Sequence, residues 1–251
     1  MAPLPPAVRS RLRIMLVAAA VCPCPPLLVP EVAAGAAAEL DAARVACADA
    51  LGLLAAARPD RLYVVGPVEE GAHGIYPAGS TGSFAGFGVD SSVRLGDPAA
   101  PDGDRPLPAS LTVGAWLLEA AGRGGAPVEG LAVDTAATPD VCAGLGRSLA
   151  DSAERVALLV LGDGSACRTV KAPGYLDERA EGFDAEAARA LGTADAGALM
   201  ALDPELAQEL KAAGRAPWQV LAGAAEGAGL DGRLLFEDAP YGVGYFVAAW
   251  S

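Results

Sequence analysis

The sequence predicts a three-layer α/β/α fold built on a central, mostly parallel but mixed sheet. Two observations predict it. Short, wholly apolar runs such as RVALLVLG, 155 to 162, read as strands buried on both faces, and they alternate with longer alanine-rich or amphipathic segments that read as helices. The 251-residue chain is 53% hydrophobic and only 20% charged, which suits one domain with a sizeable core and excludes a disordered chain.

Taken in order, residues 1 to 12 read as a flexible extension and 13 to 251 as the folded unit. RIMLVAAAVC, 13 to 22, is the first buried strand, and an alanine-rich helix is expected from Glu31 to near Pro59. RLYVVG, 61 to 66, is the second strand. The glycine-rich stretch 66 to 88 lacks periodicity and reads as a long loop of the kind that carries function. After SSVRL, Ser110 is the expected N-cap of the helix LTVGAWLLEAAG, followed by the strand VEGLAVD and a helix over 139 to 151 capped by Thr138. RVALLVLG empties into a second long loop, GDGSACRTVKAPGYLDE. Three helices follow, FDAEAARALGTAD, DPELAQELKAAG and PWQVLAGAAEG, and the strands RLLFEDA and VGYFVAAW close the chain.

The net charge of -13 opposes nucleic-acid backbones and anionic membranes. A small-molecule or protein-facing role is favoured, and a homo-oligomer is compatible with it. Arg9, Arg11 and Arg13 followed by IMLVAAAVC imitate a secretory signal. Val21 is bulky where processing wants a small residue, and cleavage would remove the first strand, so the expected location is cytoplasmic. No other stretch approaches the ~18 apolar residues of a membrane span. Five scattered cysteines, an odd number, point to free thiols in a reducing compartment.

Ligands of such sheets collect beyond the carboxyl ends of the strands. That rim should hold Cys22 and Cys24 after the first strand, Glu69, Glu70 and His73 after the second, and Asp163, Cys167 and Arg168 after the 155 to 162 strand. Thiolates with one imidazole suit Zn²⁺ or Cu(I). The bland readings stand beside this one. Cys47 and Cys142 read as small buried hydrophobes, His73 as a surface-loop residue, and Asp163 as an organiser of its own loop. Arg168, Lys171 and Tyr175 read as anion contacts or as solvated loop side chains. Tyr241 is placed at the rim, Tyr245 and Phe246 in the packing. GDGSA lacks the phosphate-loop pattern, and neither Cys24 nor Cys167 opens a helix that would activate it as a nucleophile.

The segments CPCPPLLVPEV, VVGPVEE, LVLGDGSACRTVKAPGYLDERAEGFD and EDAPYGVGYFVAAW resemble, in that order, the LigB-type class III extradiol dioxygenase superfamily, to which the Memo proteins also belong. The resemblance implies a metal pocket at one end of the sheet, with Fe(II) held by two histidines and a glutamate. Here Cys24 stands where the first ligand histidine lies between prolines. Val68, Glu69 and Glu70 stand at the second, Cys167 and Arg168 at the acid/base histidine, and KAAGRAPW lacks the late glutamate. The Memo branch is similar in keeping a cysteine where Cys167 stands.

Three functions follow as expectations. One is a metal-binding, non-catalytic protein using Cys24, Cys167, His73, Glu69 and Cys22 as its donor set for one transition-metal ion, Cu(I) or Zn from the thiolates and Fe(II) by resemblance. The second is a metal-dependent dioxygenase-type oxidoreductase on a small aromatic or thiol substrate, with Cys167, Arg168 and His73 as catalytic candidates. The third is a metal-free interaction domain on a recycled fold. A facial triad cannot be assembled from one histidine, which favours the first over the second.

Overall fold

The computed structural model describes residues 15–69, 71–97, 99–101, 103–122 and 125–251. The expected extension over 1 to 12, the basic part of the signal-like segment, and Glu70 lie outside the described residues.

Seven strands form one sheet in the order β3 (Gly74–Tyr76), β6 (Val128–Asp134), β2 (Arg61–Val68), β7 (Arg155–Leu161), β1 (Met15–Cys22), β9 (Tyr245–Trp250) and β8 (Gly232–Asp238). β6, β2, β7 and β1 are mutually parallel, while β3, β9 and β8 run antiparallel to their neighbours. The sheet is therefore mixed around a parallel centre, as the apolar runs predict. A separate ribbon pairs β4 (Thr81–Ser83) with β5 (Ser92–Arg94), and with β3 it gives structure to the segment expected to be a plain loop.

The period-2 geometry of the strands sorts their residues into two cores. Tyr63, Val65, Leu158, Val160, Phe246 and Ala248 face one side with α4 (Pro139–Ala150), α5 (Arg179–Gly192) and α8 (Arg215–Ala224). Leu62, Val64, Ala157, Leu159, Val247 and Ala249 face the other, under α2 (Asp41–Ala56) and α3 (Ala109–Ala120). In α2 the buried positions Ala43, Ala46, Cys47, Ala50, Leu51 and Leu54 form one stripe at helical spacing. The result is helices on both faces of the sheet, the three-layer arrangement. Among the described residues no helix is long and apolar enough to cross a membrane.

Several element boundaries differ from the sequence reading. The helix expected from Glu31 is broken into α1 (Pro30–Ala33), a 3₁₀ segment (Ala34–Leu40) and α2. Ala34 sits at φ 48, outside the helical region, and the Arg44 side chain binds the carbonyls of Leu28 and Ala37, holding the bend from outside. Ser110 is not the cap of α3. Pro108 occupies that place, and the Ser110 hydroxyl donates instead to the Pro67 carbonyl of β2 at 2.6 Å. Thr138 caps α4 as expected, accepting from Val141. Asp195 and Asp203 cap α6 (Ala196–Met200) and α7 (Pro204–Glu209).

Connections decide where a ligand crevice opens. After β1 the chain leaves to the α2 side of the sheet, and after β7 it leaves to the α5 side, yet β1 and β7 are neighbours. Their carboxyl ends are therefore a topological switch point, where the two following segments part, the position at which open α/β sheets take ligands.

Candidate functional site

Asp163 stands at that switch point. The residue follows β7 directly, and its Oδ1 accepts the backbone N–H of Cys24, just past β1, at 2.8 Å. Oδ2 accepts no hydrogen bond among the described residues. The carboxyl is half-buried, and withdrawal from water lifts its pKa to about 7, with the Cys24 N–H pulling the other way. Tyr245, the first residue of β9, is buried beside it. Burial first, then the neighbouring Asp163, Tyr241 and Cys24, keep its phenol neutral well past the usual range. At the outer edge the Tyr241 hydroxyl donates to Glu39 Oε2 at 2.9 Å. A carboxyl that changes charge near neutral pH, a neutral phenol and a buried thiol thus share one corner.

The loop carrying Asp163 is held by a buried clasp. Asp184, in α5 and wholly buried, accepts the Ser165 backbone N–H at 2.7 Å, the Ser165 hydroxyl at 2.8 Å and Arg168 Nη1 at 3.2 Å. Burial raises the Asp184 pKa, while those three donors oppose the rise. Gly164 is needed for the approach, because a Cβ there would stand 2.7 Å from Asp184 Oδ1. The GDGSA and FD pieces of the sequence block are the two halves of this clasp. Arg168, a catalytic candidate in the sequence, is instead tied into it by its ion pair with Asp184.

The structure does not bring the expected metal donors together. Cys24 belongs to the core on the α2 side of the sheet, whereas Cys167 belongs to the core on the α5 side, where its thiol donates to the Leu210 carbonyl at 3.5 Å. His73 is exposed on the segment before β3, and its carbonyl accepts from Arg105, which stacks over the Tyr76 ring at 3.9 Å. Four strand spacings separate β3 from β1, about 19 Å. Glu69 is exposed beyond β2 and lines a different recess. Cys22 does have thiol neighbours: its hydrogen bond with Cys47, then burial, raises its pKa, and the nearby Cys24 adds to the effect. Among the described residues no three His, Cys, Asp or Glu side chains are placed to hold one ion. The ferrous centre that the resemblance implies needs two imidazoles and a carboxylate on one face, and one exposed histidine far from Asp163 does not fit it.

Sequence reasoning thus missed Asp163 as the focal group and assigned Tyr245 to packing alone. Phe246 does pack, edge-on to Trp218 with ring centroids 5.9 Å apart. The available signal was position. Asp163 is the first acidic residue after the most apolar strand, at the end where open parallel sheets bind ligands.

Among solved structures, the chain is similar to uncharacterized protein JW3007 from Escherichia coli K12, at 16% identity and a TM-score of 0.55, over 94% of this chain and 100% of that one. At that identity the likeness concerns the fold, which is the three-layer α/β type with a mixed central sheet. No protein-family model matches the chain, and no curated protein does.

Proposed function

We propose that this protein binds a small molecule in the crevice between the β1 and β7 ends and exchanges a proton with it through Asp163, on a scaffold that resembles the extradiol dioxygenases without their ferrous triad. The observation that carries this reading is the Cys24 N–H to Asp163 Oδ1 bond, which fixes the carboxyl at the switch point and leaves Oδ2 for a ligand. A general acid or base works best when its pKa lies near the working pH, and this carboxyl stands near 7. The neutral Tyr245 phenol beside it supplies a donor for a ligand oxygen.

The deciding experiment is a carboxyl-detected ¹³C NMR titration of wild type and Asp163→Asn, with elemental analysis of anaerobically purified protein. One carboxyl titrating near neutral pH and missing from the variant, with no stoichiometric metal, is expected. Stoichiometric copper, zinc or iron lost in Cys24→Ser would overturn the reading in favour of the metal-binding one.

A further inference from the structure

A second recess, of about 510 Å³, opens beside the carboxyl ends of β2 and β6. Pro67, Val68 and Glu69 form one wall, the Thr135 turn another, and the segment from Ala207 to Ala213 the third. Its volume falls in the range of small-ligand pockets, and most of its lining is apolar. Lys211 stands on the third wall. The residue is exposed, its ammonium has no ion pair among the described residues, and its backbone is held at φ 55, in the left-handed region that costs a non-glycine residue energy. Strained positions of this kind concentrate where a side chain must be presented.

A second cation lies behind the wall. Arg215 is 2% exposed, and it is satisfied only by neutral acceptors: the Thr135 carbonyl, the Ala137 carbonyl at 2.6 Å and Gln219 Oε1 at 2.9 Å. Among the described residues no carboxylate lies within ion-pair distance of it, and its Nε has no hydrogen bond. Guanidinium stays protonated even when burial lowers its pKa, so a whole positive charge is buried against the Thr135 turn; its nearest opposing charge is Asp134, whose carboxylate accepts the Ala136 N–H at 2.8 Å in the same turn without an ion-pair contact to Arg215. Arg215 thus offsets Asp134 at this end of the recess, which leaves Lys211 as the cation with no ion pair among the described residues that line it.

We propose that this recess binds the carboxylate of a small molecule with an apolar body, the ammonium of Lys211 pairing with the anion while Arg215 offsets the Asp134 carboxylate at the Thr135 turn. A carboxylate suits the site better than a phosphate, because a single lysine lines the recess and no glycine is among its lining residues to form a nest of N–H groups. Glu69 on the opposite wall turns the anion toward Lys211, and Val68, Ala136 and Ala207 take the apolar part. The proposal does not depend on the role of Asp163.

Benzoate, its uncharged analogue benzamide and inorganic phosphate are the probes, titrated at low ionic strength into ¹⁵N-labelled full-length protein. Saturable benzoate shifts centred on 67–69, 135–136 and 207–213 are expected, with benzamide and phosphate at least tenfold weaker. Lys211→Met should weaken benzoate about tenfold, Lys211→Arg should restore it, and Asp163→Asn should leave it unchanged. Equal binding of benzamide, indifference to Lys211→Met, or shifts scattered over the surface would each overturn the proposal. Loss of benzoate binding in Asp163→Asn would merge the two sites and overturn their independence.

Discussion

The backbone N–H of Cys24 and the carboxylate of Asp163, 2.8 Å apart, join the carboxyl ends of two neighbouring parallel strands whose chains depart to opposite faces of the sheet. This single bond orients the acid at a place where the topology parts the two following segments. Burial of the same carboxyl, against the pull of that bond, sets its pH behaviour.

The Asp163 pKa is about 7 in the folded protein, above its ordinary 3.8, so the native state holds the proton more tightly than the unfolded state. Stability should therefore fall as pH rises from about 4 through 7, and stay low above that. The full shift corresponds to at most ~4 kcal/mol. Asp163→Asn keeps the acceptor for Cys24 and removes the charge. Urea unfolding at pH 5 and pH 8 should show a marked loss for wild type and a much flatter response for the variant, and parallel curves would show that the carboxyl does not titrate there.

Asp184→Ala removes the acceptor of two Ser165 donors and of Arg168 at once. Taking one partner from a buried charge pair costs about 3 kcal/mol, and the denaturation midpoint should drop accordingly. The loop holding Asp163 should also lose amide protection from hydrogen exchange before the rest of the fold does.

Gly174→Ala tests the packing around Cys167. A Cβ at Gly174 would stand 2.4 Å from the Cys167 Sγ and 2.9 Å from the Ala166 carbonyl. The overlap should cost roughly 1–3 kcal/mol. Gly174→Ala combined with Cys167→Ala should recover part of it, because the sulfur is one of the two obstacles.

All five cysteines are free and buried. The Cys22 thiol is pushed up by its hydrogen bond with Cys47 and by burial, and those of Cys24, Cys142 and Cys167 chiefly by burial. Thiolate is the reactive form, so a disulfide reagent at pH 8 should label the native protein slowly and the denatured protein at all five positions. Rapid labelling of Cys24 in the native state would mean that the crevice opens more widely than its geometry implies.

Lys211→Gly should raise stability by about 1 kcal/mol, since glycine takes φ 55 without the Cβ clash. The same variant should lose benzoate affinity, so thermal midpoint and affinity would move in opposite directions.

The apolar runs at 15 to 22, 61 to 66, 128 to 134 and 155 to 161 made the parallel core legible, because a strand buried on both faces must be apolar at every position. The GDGSA and FD pieces were visible as a linked block, although their link is structural, through Asp184. The broken helix after Glu31 was not legible, since its alanines favour helix everywhere and only Arg44 and the turn at Ala34 interrupt it.

What the sequence by itself determined was the order and burial of the strands and helices, because periodicity and apolar content are local properties. Which end residues share a site was decided only in three dimensions. Strand order put β7 between β2 and β1, and crossover side put Cys24 and Cys167 on opposite faces of the sheet. A rim inferred from sequence is a line of strand ends, but donors share a ligand only when they lie on neighbouring strands and the same face. Asp163 and Cys24 meet through their hydrogen bond at neighbouring strand ends with Tyr245 beside them, while His73 and Glu69 stand apart.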